Sequence, residues 1–255
     1  MYRPLQEVNA SDVDLSSFKV KDELNQDLWS GEALKRSVRN KLLDISDDFI
    51  DGLAIPWVKP KDVVLTGSLA NYNWSRYSDI DLHIVIDFKE VWDKRKDFVA
   101  EYFEAKKNEW AGEHDEIKIF GFPVEISVED ASEPARSGGI YSIKKDEWVK
   151  QPKNLSDARL NKKYVKETAA EIMTEIDNIV ARVKKAKTPA EKKQQAERLM
   201  PVWKRMKKLR KDGLASEARE MSSGNIIWKT LRREGYINDV WDTLNDAYNE
   251  AMSLK

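Results

Sequence analysis

The sequence predicts an α+β protein: a small mixed sheet flanked by helices, followed by an all-helical C-terminal domain. Three observations carry that expectation. Asp79-Ile80-Asp81-Leu82-His83-Ile84-Val85-Ile86 alternates polar and apolar side chains at the two-residue period of a strand. Glu116–Phe120 and Val124–Val128 flank Gly121-Phe122-Pro123 as the arms of a hairpin flank its turn. From Asn154 onward only helical periodicity is found.

Taken in order, residues 1–31 read as an N-terminal arm, because Asp, Ser and Asn are frequent there and periodicity is weak. A helix is expected over 32–53, where Leu34, Val38, Leu42, Ile45, Phe49 and Leu53 recur at three- and four-residue steps. Pro56 and Pro60 end it, since each proline biases the preceding residue away from helix. Val63-Val64-Leu65 is a short buried strand closed by Thr66-Gly67-Ser68, with a brief helix expected at Leu69–Tyr72. A helix over 89–110 should turn Val91, Phe98, Tyr102 and Phe103 inward, and Gly139–Ile143 with Glu147–Val149 suggests a second hairpin. The α/β domain is taken as 32–153 and the helical domain as 154–255, divided at Gln151-Pro152-Lys153-Asn154.

In the helical part, Leu160, Tyr164, Ala169, Ile172, Ile176, Ile179 and Val183 form one apolar stripe. Thr188-Pro189-Ala190-Glu191 combines a capping threonine, proline at the first helical position and glutamate at the third. That helix is expected to run to Lys211, kink near Pro201 and stop at Asp212-Gly213; shorter helices follow at 224–234 and 239–252.

Composition narrows the chemistry. The hydrophobic fraction is 41% and the charged fraction 35%, as in a highly charged globular protein. No apolar run is long enough to span a bilayer, and the N-terminus lacks the pattern of a signal peptide, so a cytoplasmic protein without membrane contact is expected. With no cysteine and only His83 and His114, the donors argue against zinc; a metal here would be held by carboxylates, which suit Mg²⁺ or Mn²⁺. Between Arg182 and Lys211 there are 13 Lys or Arg against two acids, on a chain of net charge -1. Such a segment suits a polyanionic partner such as RNA, although a solvated helix face with Trp203 turned inward accounts for it as well.

Asp79 and Asp81 would lie about 6.5–7 Å apart on one strand face. Two acids so arranged can bridge a pair of Mg²⁺ ions, which would relieve their mutual repulsion. A lone acid-apolar-acid triplet is usually only a solvated sheet face. Here Gly67-Ser68 ends the preceding strand ten residues upstream, where glycine permits close backbone approach and a helix start can receive a phosphate.

Val63-Val64-Leu65-Thr66-Gly67-Ser68 followed by Ser78-Asp79-Ile80-Asp81-Leu82 resembles the signature of the DNA polymerase β-like nucleotidyltransferase superfamily. Residues 61–150 look most like short nucleotidyltransferases encoded by tailed bacteriophages. The resemblance implies a third acid on a later, neighbouring strand, which Glu125 in Pro123-Val124-Glu125-Ile126 fits; Glu129, on the same strand face, is its competitor. It further implies that Asp79 and Asp81 ligate two metal ions, and that Glu125 ligates one of them and acts as base or positions the acceptor. Gly67 and Ser68 would touch the β- or γ-phosphate of an NTP, and Lys162 and Lys163 stand near where relatives often keep triphosphate-binding lysines. The implied reaction moves a nucleoside monophosphate from NTP to a hydroxyl, with RNA or tRNA ends among the acceptors. His83 and Arg76 could contact substrate or phosphate but read first as a locally partnered sheet residue and a solvated loop arginine, and Tyr141 and Ser142 could border the nucleotide pocket, though strand packing explains Tyr141 as well. The rival readings are a catalytically silent binding module, of antitoxin or inhibitor type, and an RNA-binding protein that uses 182–211.

Overall fold

The computed structural model describes residues 8–114, 117–133, 137–153 and 160–254. The chain divides into two compact units, Val20–Ser156 and Met1–Lys19 with Asp157–Lys255. The expected hairpin start at Glu116 and the junction at Asn154 lie outside the described residues.

The first unit holds β1 (Trp29–Ser30), β2 (Ala33–Leu34), α1 (Arg36–Asp51), β3 (Asp62–Thr66), β4 (Ile80–Ile86), α2 (Phe88–Trp92), α3 (Lys96–Glu113), β5 (Lys118–Ile119), β6 (Phe122–Asp130), β7 (Ile140–Ser142) and β8 (Glu147–Lys150). Six strands form one sheet in the order β5-β6-β4-β3-β7-β8. Only β4 and β6 run parallel; the other neighbours are antiparallel. A parallel pair needs a crossover, and α2 with α3 supplies it. The sheet is therefore mixed, as expected.

Alternation along β4 sorts the faces. Ile80, Leu82, Ile84 and Ile86 are buried, while Asp81, His83 and Val85 between them are half-buried. Register brings Leu65 and Ile126 beside Leu82, so one sheet face is apolar across three strands. It joins one core with Val38, Leu42, Ile45 and Phe49 of α1 and Val99, Phe103 and Trp110 of α3. Burying each such side chain contributes about 1.5–3 kcal/mol. A one-residue slip of β4 would exchange those isoleucines for Asp81 and His83, so the core pins the register that the other face depends on.

Three expectations for this unit change. The arm does not stay outside the core: Leu24, Leu28 and Trp29 are buried in it. The helix expected over 89–110 is two, because α2 stops at Trp92 and α3 begins at Lys96. Val99, not Phe98, then faces inward; Phe98 is exposed, with the Arg95 guanidinium 3.6 Å from its ring centre. Asp87 caps α2 by accepting from the Lys89 N–H at 3.0 Å.

The second unit consists of α4 (Lys162–Lys185), α5 (Pro189–Ala196), α6 (Leu199–Ala215), α7 (Ser223–Arg233) and α8 (Tyr236–Met252). The inward stripe of α4 is Val165, Ala169, Ala170, Ile172, Met173, Ile176, Ile179 and Val183; Tyr164 is exposed instead. The capping box at Thr188 and Glu191 forms as the sequence requires. The expected long helix breaks at Glu197-Arg198, not at Pro201. Pro201 falls in the first turn of α6, where its missing N–H has no partner to lose. Gly213 does not stop α6: a Cβ there would stand 2.4 Å from Ser222 Oγ, so this glycine permits close approach of the segment that opens α7. Trp203 packs against Trp228 and Trp241, with ring centres 5.3 and 5.1 Å away. Among the described residues no helix is long and apolar enough to cross a membrane.

Candidate active site

The polar face of the sheet brings β3, β4 and β6 together at Asp81. Asp81 pairs in register with Thr66 on one side and with Glu125 on the other. Asp79 immediately precedes β4, two residues before Asp81, and has the same parity. Parallel neighbours are about 4.8 Å apart, so Asp81 and Glu125 are adjacent carboxylates on one face. Glu129 instead pairs with Val85, four residues further along β6. Its carboxylate takes a 2.7 Å contact from His83 Nδ1, and His83 Nε2 lies 3.2 Å from Thr66 Oγ1. The His83 hydrogen bond holds the Glu129 carboxyl below its ordinary value, against the opposing effect of burial. His83 and Glu129 thus have a local structural role, and Glu125 is the glutamate beside Asp81.

Gly67 follows β3 with φ 70° and ψ -161°, a conformation that L side chains rarely adopt. A Cβ on Gly67 would fall 1.6 Å from Asp81 Oδ2. The backbone at Gly67 therefore rests directly on the Asp81 carboxylate, and no residue with a side chain fits there.

Ser68 differs from its simplest reading. It is buried, and its hydroxyl donates to Ser78 Oγ at 2.7 Å, which in turn accepts from the Ser75 N–H at 3.0 Å. The hydroxyl stitches the spacer loop to the residue before Asp79. Asn71, which no motif marks, is buried and donates to the Gly67 carbonyl at 2.6 Å.

The remaining candidates belong to other elements. Lys162 and Lys163 begin α4 in the helical unit; both are exposed, and Lys163 lies 3.9 Å from Glu167. Tyr141 packs its ring on Trp29 and Trp148 and donates to Asp146 at 2.8 Å. Burial, then that bond, push the phenol up to about 12. Ser142 Oγ donates to Asp62 at 2.7 Å, Arg76 bonds to Tyr77, and His114 stacks on Trp110.

Among the described residues no three carboxylate or imidazole side chains are gathered into a ready cation cage. The donor chemistry nonetheless fits a hard divalent ion. Asp79, Asp81 and Glu125 offer only oxygen, they share a face, and the bare Cα of Gly67 leaves the Asp81 carboxylate its room.

The family model for the nucleotidyltransferase domain matches residues 48–169, a span that contains Gly67, Ser68, Asp79, Asp81 and Glu125. Over that span the chain is similar to nucleotidyltransferase domains. No curated protein and no solved structure matches it.

Proposed function

We propose that this chain is a metal-dependent nucleotidyltransferase that moves a nucleoside monophosphate from an NTP to a hydroxyl acceptor and releases pyrophosphate. The single observation that carries the reading is the row Thr66–Asp81–Glu125 beneath Gly67. It joins two adjacent carboxylates to a loop that accepts no side chain at its closest point. Asp79, Asp81 and Glu125 would hold two Mg²⁺ or Mn²⁺ ions, which neutralise charge on the triphosphate and lower the pKa of an attacking hydroxyl. The backbone of Gly67 and Ser68 would lie against the β- or γ-phosphate, with Lys162 and Lys163 as further triphosphate contacts. The acceptor oxygen bonds to the α-phosphorus as the bond from that phosphorus to the pyrophosphate oxygen breaks. Glu125 takes the hydroxyl proton or positions the hydroxyl to lose it to water.

RNA or tRNA ends are acceptors that the basic stretch 182–211 would suit. Part of that charge is already matched: Lys192 meets Glu250 at 2.8 Å, Lys193 meets Glu197 at 3.3 Å, and Lys208 meets Asp212 at 2.5 Å. The rival is a silent binding module, against which the retention of Asp79, Asp81 and Glu125 argues.

Each α-³²P-labelled NTP is incubated with Mg²⁺ or Mn²⁺, with and without total RNA, beside the Asp79→Ala/Asp81→Ala double variant. Label moved by the wild type and lost by at least on the order of 10²–10³-fold in the variant is the expected result. Transfer that requires RNA would name the acceptor class. Absence of transfer under every condition, with no rise in melting temperature on adding NTP, would overturn the reading in favour of the binding module.

A further inference from the structure

Three successive peptide planes after β3 are pinned by hydrogen bonds. Asn71 Nδ2 donates to the Gly67 carbonyl at 2.6 Å, the Asn71 N–H to the Ser68 carbonyl at 3.1 Å, and the Trp29 indole N–H to the Leu69 carbonyl at 2.8 Å. A peptide plane held by its oxygen is held at its N–H too, because the two point in opposite directions across a trans bond. Asn71 therefore orients the Ser68 N–H away from itself, at the point nearest Asp81.

The two donors are themselves immobilised. Trp29 is fully buried, stacked at 4.9 Å on Trp148 and edge-on at 5.1 Å to Tyr141. A buried indole N–H needs an acceptor, and the loop carbonyl supplies it. Asn71 is wedged against Gly138, whose added Cβ would stand 2.7 Å from Asn71 Oδ1. A Cβ on Gly139 would meet the Ala70 carbonyl at 2.1 Å, so the backbone passes directly beside the loop. The loop is thus fixed on three sides, by Asp81, by Trp29, and by Gly138-Gly139 through Asn71.

We propose that Trp29 and Asn71 are positioning residues for the triphosphate: they touch no reacting atom but hold the Gly67–Ala70 backbone in the shape that receives it. The inference rests on the nucleotidyl-transfer reading above. It predicts that loss of either donor weakens NTP binding more than it slows the chemical step. An ordinary core role predicts lower stability with normal affinity among the folded molecules.

Trp29→Phe keeps an aromatic ring in the cluster and removes the N–H; Asn71→Ala removes the second donor. Trp148→Phe is the control, since Trp148 belongs to the same ring cluster but donates to Glu32, away from the loop, at 2.8 Å. Binding of the α,β-methylene analogue of each NTP with Mg²⁺ is measured by calorimetry, alongside KM, kcat and melting temperature. Trp29→Phe and Asn71→Ala should each weaken binding and raise KM by about tenfold, the effect of one lost hydrogen bond, with kcat changed less than about threefold. Trp148→Phe should lower the melting temperature as Trp29→Phe does and leave affinity alone. Equal affinities in wild type, Trp29→Phe and Asn71→Ala would overturn the inference and leave the activity standing. If Trp29→Phe does not fold, Asn71→Ala decides alone. A wild type that binds no analogue removes the functional reading and this inference together.

Discussion

The parallel pair β4–β6 carries a group of carboxylates at each end, and the fold treats the two groups differently. At the far end Asp130 is buried on the apolar side of the sheet, yet its neighbours neutralise it. Lys96 donates at 2.5 Å, the Ser132 N–H and hydroxyl at 3.1 and 2.9 Å, and the Phe88 N–H at 3.4 Å. Burial alone would raise this carboxyl; those bonds outweigh it and bring it down to about 2. At the near end Asp81 has Thr66 and Glu125 as its register partners, a neutral hydroxyl and a second carboxylate. Asp130 has an ion pair with Lys96, whereas Asp81 and Glu125 are two carboxylates in register on neighbouring strands. A carboxylate that serves the fold is thus expected to affect stability when removed. One that serves a ligand is expected to affect binding and rate.

The sharpest test of that contrast uses two glutamates on one strand face. Glu125→Gln should reduce nucleotidyl transfer by on the order of 10²–10³-fold and leave the melting temperature unchanged or slightly raised, since a like charge beside Asp81 is gone. Glu129→Gln should keep transfer within about threefold and lower stability modestly, because a partly exposed ion pair contributes at most about 1 kcal/mol. Steady-state rates and thermal melts of both variants decide the matter. A Glu129→Gln enzyme that is dead beside an active Glu125→Gln enzyme would move the site about 13 Å along the strand, to the row of Val85 and Glu129.

The structural end makes a smaller and opposite prediction. Asp130 is held near 2 in the fold against about 3.9 unfolded, so between those values the unfolded chain binds more protons. Its contribution is complete above about pH 4 and is lost as the pH falls through 4 towards 2. Asp130→Asn should lower stability by about 2 kcal/mol at neutral pH, retain the specific activity, and flatten the acid limb of the stability curve. Urea melts of both proteins between pH 2 and 7 measure this. An acid limb as steep in the variant as in the wild type would mean that other groups carry it.

How much of this was legible in the sequence depends on whether a feature is local. The faces of β4 followed from alternation, and the Thr188–Glu191 cap from four consecutive residues, since each is decided within one element. The Asp81–Glu125 adjacency was reached through family resemblance; the parallel crossover that creates it spans 44 residues and leaves no periodic trace. The place of Trp29 in the core is not legible in the sequence, because its partners, Leu69, Tyr141 and Trp148, are distant along the chain. Nothing in a Gly-Ser pair reveals that the Ser68 hydroxyl will donate to Ser78. Gly213 looked like a helix stop because a glycine needed for close packing and one needed for a turn are the same letter. Periodicity identifies faces; it does not identify what a face will meet.

The smallest expected effect concerns Lys162 and Lys163. Lys163 is 84% exposed at its side chain, and its Glu167 partner is 3.9 Å away, so Lys163→Ala should leave the melting temperature unchanged. That neutrality makes it a clean probe of ligand contact. If Lys162 and Lys163 meet the triphosphate, alanine at either should raise KM for NTP about two- to fivefold at low salt, with kcat kept. The effect should fade as ionic strength approaches about 0.15 M, where the screening length is about 8 Å. Measuring KM across that salt range separates two cases. A salt-sensitive rise means that these lysines contribute charge to NTP binding. A KM indifferent to both substitutions at every salt concentration removes these lysines from the site and leaves that contribution to the bound cations.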